Sequence, residues 1–383
     1  MDKFQKIGLS ALCGSLAALT SANAGEMTVK GGATATWSSN TGDTTGNPIG
    51  ISSGLTFTGA GELDNGTTFT LTMTQADQSA WSAGSINMTF PSMGSFKIGS
   101  ADGGGGIGAY DDKMPTAWEE TWGTSLGTGI DLAKGSGSSM YLQYTTPSIA
   151  GVTLKLAGSP DNDGKQATDK GSGGEAGATY KKSADAVLDI SGMGQNLFVG
   201  YSVSERHDSQ GKATEKGNNK DGNTYKQEGV AGAIFSIGPV KLGAQATAEF
   251  LGNEQTASDI FGYRNVAYGI SFNVNDNLSL SWGRMESKQG SVSGDAKEPV
   301  VMEIDSYQAA YTMGGATIKI AETSADNVKY TSGTANSKDA TTVALYYQTE
   351  QEHQYDNLHV TSMHGTQPFA ALSSYSAAHG KTG

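Results

Sequence analysis

The residues able to do chemistry gather in one stretch. Between Ser100 and Ser139 stand six carboxylates, Asp102, Asp111, Asp112, Glu119, Glu120 and Asp131, against two cations, Lys113 and Lys134. Charges of one sign in a low-dielectric passage focus their field and select ions of the other sign. On an ordinary solvated loop the same six carboxylates would do nothing of the kind. Gly103 to Gly106 and Gly108 let the backbone of this stretch fold compactly. The choice between the two readings rests on the elements that hold the stretch.

Other motifs carry less. Gly103-x-Gly105-x-x-Gly108 spells the dinucleotide fingerprint, but that motif needs a strand before it and a helix after it in a βαβ unit, and no helix is readable there. Asp161-Asn162-Asp163-Gly164 hints at calcium. The EF-hand register fails, with Ser159 at the first ligand position and Lys170 where the closing Glu belongs, which leaves room only for a loose surface calcium site. His207 lies on a polar stretch from Glu205 to Thr224 with no fixed acid partner for a serine triad. The other four His, at 353, 359, 364 and 379, have spacings that fit no compact metal site. These readings leave no enzyme, no cofactor and no metal.

Composition narrows the class. Gly numbers 54 and Pro 8 among 383 residues, and charged residues make up only 16%, against about 25% in ordinary soluble domains. The net charge of −13 and the three Arg, at 206, 264 and 284, argue against nucleic acid, whose phosphates demand clustered Lys and Arg. The one Cys, Cys13, excludes disulfides. Lys3 and Lys6, the apolar run from Ile7 to Leu19 and Ala22-Asn23-Ala24 satisfy the criteria of a cleaved secretory leader over residues 1–24. No other stretch approaches the ~18 apolar residues of a membrane-spanning helix.

From Gly25 onward the hydrophobicity alternates with period two. Met27, Val29, Ala33, Ala35 and Trp37 share one face, with Thr28, Lys30, Thr34 and Thr36 on the other. Leu55-x-Phe57 and Phe69-x-Leu71-x-Met73 flank Asp64-Asn65-Gly66, a tight-turn signal. The pattern recurs through Val343-x-Leu345-x-Tyr347 and predicts about 16 strands. Short turns, such as 91–94, 238–239 and 314–315, alternate with longer polar loops, such as 205–224 and 286–300. Aromatics close the apolar face at both ends: Trp37, Tyr201, Phe250 and Trp282 near the long loops, and Phe90, Tyr144, Phe235, Phe272 and Tyr311 near the short turns. Two aromatic rings around an apolar band, short turns on one side and long loops on the other, predict an all-β transmembrane antiparallel barrel. A closed barrel also pairs every backbone group within lipid. A β-solenoid would show a fixed repeat, and a β-sandwich would bury larger residues than the Ala, Gly, Val and Leu found here.

Gly61-Glu62-Leu63-Asp64-Asn65-Gly66, Tyr144-Thr145-Thr146-Pro147-Ser148-Ile149-Ala150-Gly151 and Asn277-Leu278-Ser279-Leu280-Ser281-Trp282-Gly283, with the loop rhythm, make the chain resemble the trimeric 16-stranded general porins of Gram-negative bacteria, the alphaproteobacterial branch most of all. The resemblance covers 25–347. It implies a homotrimer in the outer membrane, short periplasmic turns, long external loops, and passive diffusion of ions and small hydrophilic solutes. It also implies that the third long loop, the one from Ser100 to Ser139, folds into the barrel and narrows it. On that reading Asp102, Asp111, Asp112, Glu119 and Glu120 line the constriction, with Lys30 and Lys97 on the wall opposite, and cations are preferred. Lys155, Lys241 and Lys319 share the inward phase. Tyr110, Trp118 and Trp122 pack the loop against the wall or guide a solute. A structural or adhesive barrel without conductance and an outer-membrane hydrolase are the competing readings. Porins of this type end on their last strand, whereas here 348–383 runs on without alternation, as an atypical extension.

Overall fold

In the computed structural model, residues 26–41, 46–77, 79–123, 126–162, 180–206, 225–252, 260–291 and 299–353 are described. The leader, His207, the second half of the Asp161–Gly164 motif and the His-bearing tail beyond His353 lie outside the described residues.

Sixteen strands close into one antiparallel barrel. In chain order they are β1 (Glu26–Thr41), β2 (Ile49–Glu62), β3 (Thr68–Ala76), β4 (Ser79–Phe90), β5 (Gly94–Ser100), β6 (Tyr141–Thr145), β7 (Val152–Ser159), β8 (Tyr180–Gly192), β9 (Gln195–Arg206), β10 (Tyr225–Ile237), β11 (Val240–Phe250), β12 (Ile260–Asn273), β13 (Leu278–Ser291), β14 (Val301–Met313), β15 (Ala316–Asp326) and β16 (Lys338–His353). Each strand pairs with its sequence neighbours, and β1 closes the circle on β16. Closure leaves no strand edge unpaired.

The period-two pattern sets the two faces. Phe57, Leu71, Met73, Ile86, Leu142, Val199, Leu242, Ile270 and Leu280 lie exposed on the outside, while the alternate positions point inward. Aromatics are exposed at both rims, with Trp37, Tyr201 and Tyr307 toward the long loops and Tyr144, Phe235, Phe272 and Tyr311 toward the short turns. The one short connection on the long-loop side joins β3 to β4 at Asp77. Asp77 takes a positive φ of 51° and accepts the Ser53 amide on its side chain at 2.8 Å.

The last strand runs further than its alternation suggests. β16 continues to His353, and Gln348 to His353 pair with Gly32 back to Met27. Backbone pairing with β1 carries the strand past Tyr347, where the sequence pattern places the end of the barrel. The pairing requirement acts on the backbone and is indifferent to the loss of pattern.

Candidate functional site

The connection between β5 and β6 folds into the barrel. Irregular backbone in the lumen needs partners for its amides, and side chains on the inward phase of the wall supply them. Gly106 N–H donates to Gln143 Oε1 at 3.0 Å, Lys113 N–H to Gln245 Oε1 at 2.8 Å, and Lys134 N–H to Glu228 Oε1 at 2.8 Å. Ala117 N–H donates to Ser281 Oγ at 2.8 Å, and Trp118 and Glu119 N–H both reach Gln308 Oε1, at 3.0 and 3.1 Å. The Gln308 amide returns a bond to the Glu119 carbonyl at 2.8 Å.

The tightest anchor is Asp185 on β8, 5% exposed. It accepts the Ile107 amide at 3.0 Å, the Ser136 amide at 3.0 Å, the Ser136 hydroxyl at 2.7 Å and the Ser202 hydroxyl at 2.6 Å. One carboxylate thus joins both arms of the loop to the wall. The arms meet it through glycines with positive φ, Gly106 at 53° and Gly135 at 52°. A Cβ would stand 1.7 Å from Asp185 Oδ2 at Gly106 and 2.3 Å at Gly135.

Two apolar seals complete the seating. Ile107, Tyr110 and Ala133 of the loop bury against Val187, Phe198 and Val230 of the wall. Leu126, with Trp122, Ile130 and Leu132, packs on Ala267, Met285, Met302 and Ile304. Between the seals the loop lies close on a row of wall glycines. Gly243, Gly269 and Gly283 are paired neighbours on β11, β12 and β13. A Cβ at these positions would meet Pro115, Pro115 and Thr121 at 2.6, 3.0 and 2.3 Å. Tyr110 is 2% exposed and Trp122 belongs to the second seal, so both pack the loop. Trp118 instead lies 6.0 Å from the Lys319 ammonium.

The loop carboxylates fall into two groups. Asp102 stands alone beside β5. Lys97 does not face it from across the lumen; it bonds Asp102 at 2.7 Å, because the loop turns back on the strand it leaves. Tyr141 donates its hydroxyl to Asp102 at 2.7 Å and Gly104 its amide at 3.1 Å. Burial pushes the Asp102 carboxyl up, but the Lys97 ammonium and the two other donors outweigh it and hold it below its ordinary value.

Asp111, Asp112, Glu119 and Glu120 form the second group. Burial, then hydrogen bonding to Glu120 and the negative charge of Asp111 and Glu120, push Asp112 up to about 8. Burial first and the Glu120 charge second raise Glu119, and burial raises Asp111. Glu120 takes the charge: burial works against it, but the hydrogen bonds from Asp112 and Glu119 bring it below its ordinary value. Near neutral pH, then, the group holds at least one proton on Asp112. Lys113 lies beside Asp111 and Lys319 beside Glu119, close enough to favour their ionised forms.

The wall lysines are engaged one by one. Lys155 donates to the Tyr110 hydroxyl at 2.5 Å, and Tyr110 donates to Asp189 at 2.6 Å. Lys319 sits 4.8 Å from the Tyr346 ring. Lys30 is exposed on the inner face of β1, on the part of the wall that receives none of the loop contacts given above. On the outer face, Arg284 bonds Glu286 at 3.2 Å, Asp305 at 2.9 Å and also Glu303, which fixes it above the Trp282 level. Asn162 donates to the Gly135 carbonyl at 3.2 Å and Ser204 Oγ at 3.1 Å, which braces the loop, while Asp161 bonds Lys181 of the wall at 3.4 Å. The glycine fingerprint opens a 3₁₀ turn at Gly106–Tyr110 with no following helix of the kind a dinucleotide needs.

Asp185, Gln143, Glu228, Gln245, Ser281 and Gln308 were not singled out by their sequence. A signal for the seals was present: Val187, Phe198, Val230, Met285 and Ile304 are apolar residues on an otherwise polar inward phase.

A closed sixteen-strand barrel with its third long loop folded inside is the architecture of the general porins. Solved structures bear this out at the level of fold. OmpF of Salmonella typhi, solved in complex with daunomycin, superposes at a TM-score of 0.60 with 13% identity over 85% of this chain and 97% of that one. OmpT, an outer membrane protein of Vibrio cholerae, gives 0.59 with 12% identity over 85% and 98%. A further porin gives 0.53 with 12% identity over 85% and 100%. No protein-family model and no curated protein sequence matches the chain.

Proposed function

We propose that this protein is an outer-membrane channel for passive diffusion of ions and small hydrophilic solutes, without catalysis or a cofactor. It is exported by a leader over residues 1–24, its barrel begins at 25 and runs through the end of β16 at His353, and the extension follows. The observation that carries the reading is the seated loop. A closed barrel holds a polar loop against one part of its wall by the hydrogen bonds and the two apolar seals described above. On this reading the loop's carboxylates face the remaining lumen, which a structural barrel has no need of.

Cation preference follows from what stays uncompensated. Asp102 is balanced by Lys97, and Asp112 keeps its proton near pH 7. Asp111, Glu119 and Glu120 supply the negative field, moderated by Lys113 and Lys319. The preference is therefore weaker than five free carboxylates would give. A homotrimer is supported by a recess of about 350 Å³ on the outer face, lined by Gly31, Ala33, Ser53, Leu55, Gln75 and Tyr347. Small residues there let another backbone approach closely, and a second copy of this chain is the occupant proposed.

Planar-bilayer conductance of the refolded chain under a salt gradient tests the proposal. Steps in threes with a reversal potential favouring cations are expected. Silence from folded barrels would refute it and favour the adhesive reading.

A further inference from the structure

The loop contacts named above fall on β5 to β15. The arc from β1 to β4 receives none of them and has a different chemistry. Its inward phase carries hydroxyls at Thr34, Thr56, Thr58, Thr72 and Thr74. Thr58 and Thr72 are directly paired, as are Thr56 and Thr74, whose hydroxyls stand 3.3 Å apart. No apolar side chain of the two seals comes from this arc.

A recess of about 350 Å³ opens on this arc where it meets β16, lined among others by Lys30, Thr34, Ser52, Thr56 and Tyr346. That volume is at the lower end of the ~300–1,000 Å³ of small-molecule sites. Glycine makes the space: a Cβ at Gly32 would stand 3.1 Å from the Tyr346 ring. Among the described residues the lining holds no carboxylate. Hydroxyls both donate and accept, as each hydroxyl of a sugar does, and an aromatic ring offers an apolar face to carbon-bound hydrogens.

We propose that this recess is a subsite for a neutral polyhydroxylated solute of monosaccharide size, held by the Thr34, Ser52 and Thr56 hydroxyls and the Tyr346 ring. The proposal rests on the channel reading and adds the class of solute. A site that passes its ligand on must bind weakly, with a dissociation constant on the order of 10 mM. The test titrates D-arabinose into the refolded protein, by block of single-channel current and by calorimetry in detergent. Saturable block and saturable heat are expected. Tyr346→Ala should weaken both about fivefold, the loss of one ring contact, and Thr56→Val should weaken both at nearly unchanged shape. Tyr346→Phe should stay close to wild type. Current that falls only in proportion to viscosity, or equal heats in wild type and variants, would overturn the subsite while leaving the channel. Saturable heat without conductance in salt alone would refute the channel and keep the recess.

Discussion

Removing the Asp185 carboxylate should unseat the inner loop without opening the barrel. Asp185→Ala strips the acceptor from the Ile107 and Ser136 amides, each now 3.0 Å from it, and from the Ser136 and Ser202 hydroxyls. A buried amide left unpaired costs about 1–3 kcal/mol. Two of them put the loss of loop seating at about 2–6 kcal/mol. The barrel's own ladders are untouched, so the change is local. Lys113 and Lys134 mark the loop for trypsin, and cleavage of a transiently opened segment follows its open population. At about 1.4 kcal/mol per tenfold, the lower bound is a rise of about 30-fold in the cleavage rate. Single channels of the variant should be larger and noisier. Gly106→Ala should reproduce the effect from the other side, since its Cβ would stand 1.7 Å from Asp185 Oδ2 and its φ of 53° disfavours any side chain. Asp185→Asn, which keeps one acceptor oxygen, should fall between. A folded Asp185→Ala barrel with wild-type cleavage and wild-type current noise would refute the anchoring role.

Two further outcomes concern charge. Asp112, ordinarily ionised above 3.8, is raised to about 8 in the seated loop; the seating it favours is complete below the lower value and is lost as pH rises through the higher one. Between pH 7 and 9 reversal potentials should move toward cations and loop cleavage should quicken, and Asp112→Asn should flatten both; the same step in that variant would assign it to another group. Lys97→Met removes the 2.7 Å partner of Asp102 and leaves the Tyr141 hydroxyl and the Gly104 amide as its donors, so cation preference measured by reversal potential at pH 7 should increase, and an unchanged potential would place Asp102 outside the ion path.

The fold was legible because a barrel wall is written residue by residue. Each strand must alternate to have an outer and an inner face, and the alternation through Met27 to Trp37 or Val240 to Phe250 survives in the sequence without help from distant residues. The end of β16 was not legible for the same reason in reverse. Gln348 to His353 hold their register in the β1–β16 ladder, and backbone pairing leaves no trace in side-chain pattern. The carboxylate-rich stretch was legible as a unit, from its length and its charge. The place of Lys97 was not, because inward phase says only that a side chain enters the lumen. Whether it faces a charge across the lumen or bonds one beside it depends on the path of the loop.

That path was nonetheless encoded in the departures from the wall's own rule. An inward position in a water-filled barrel should be polar, and Val187, Phe198 and Val230 on three successive strands break that rule side by side. So do Ala267, Met285 and Ile304 further round. Gly243, Gly269 and Gly283, paired across three strands, break it by being empty. Each exception marks where something other than water lies on the wall, because an inward apolar side chain gains about 25 cal/mol for every Å² it hides from water and hides none in an open lumen. The exceptions lie on β8 to β14, and the threonine-rich run lies on β1 to β4. Read together they divide the lumen into a covered arc and an open one before any loop is drawn. The hydroxyl wall is therefore the counterpart of the seals: where no loop must be held, the inward phase is free to be selected for what passes through.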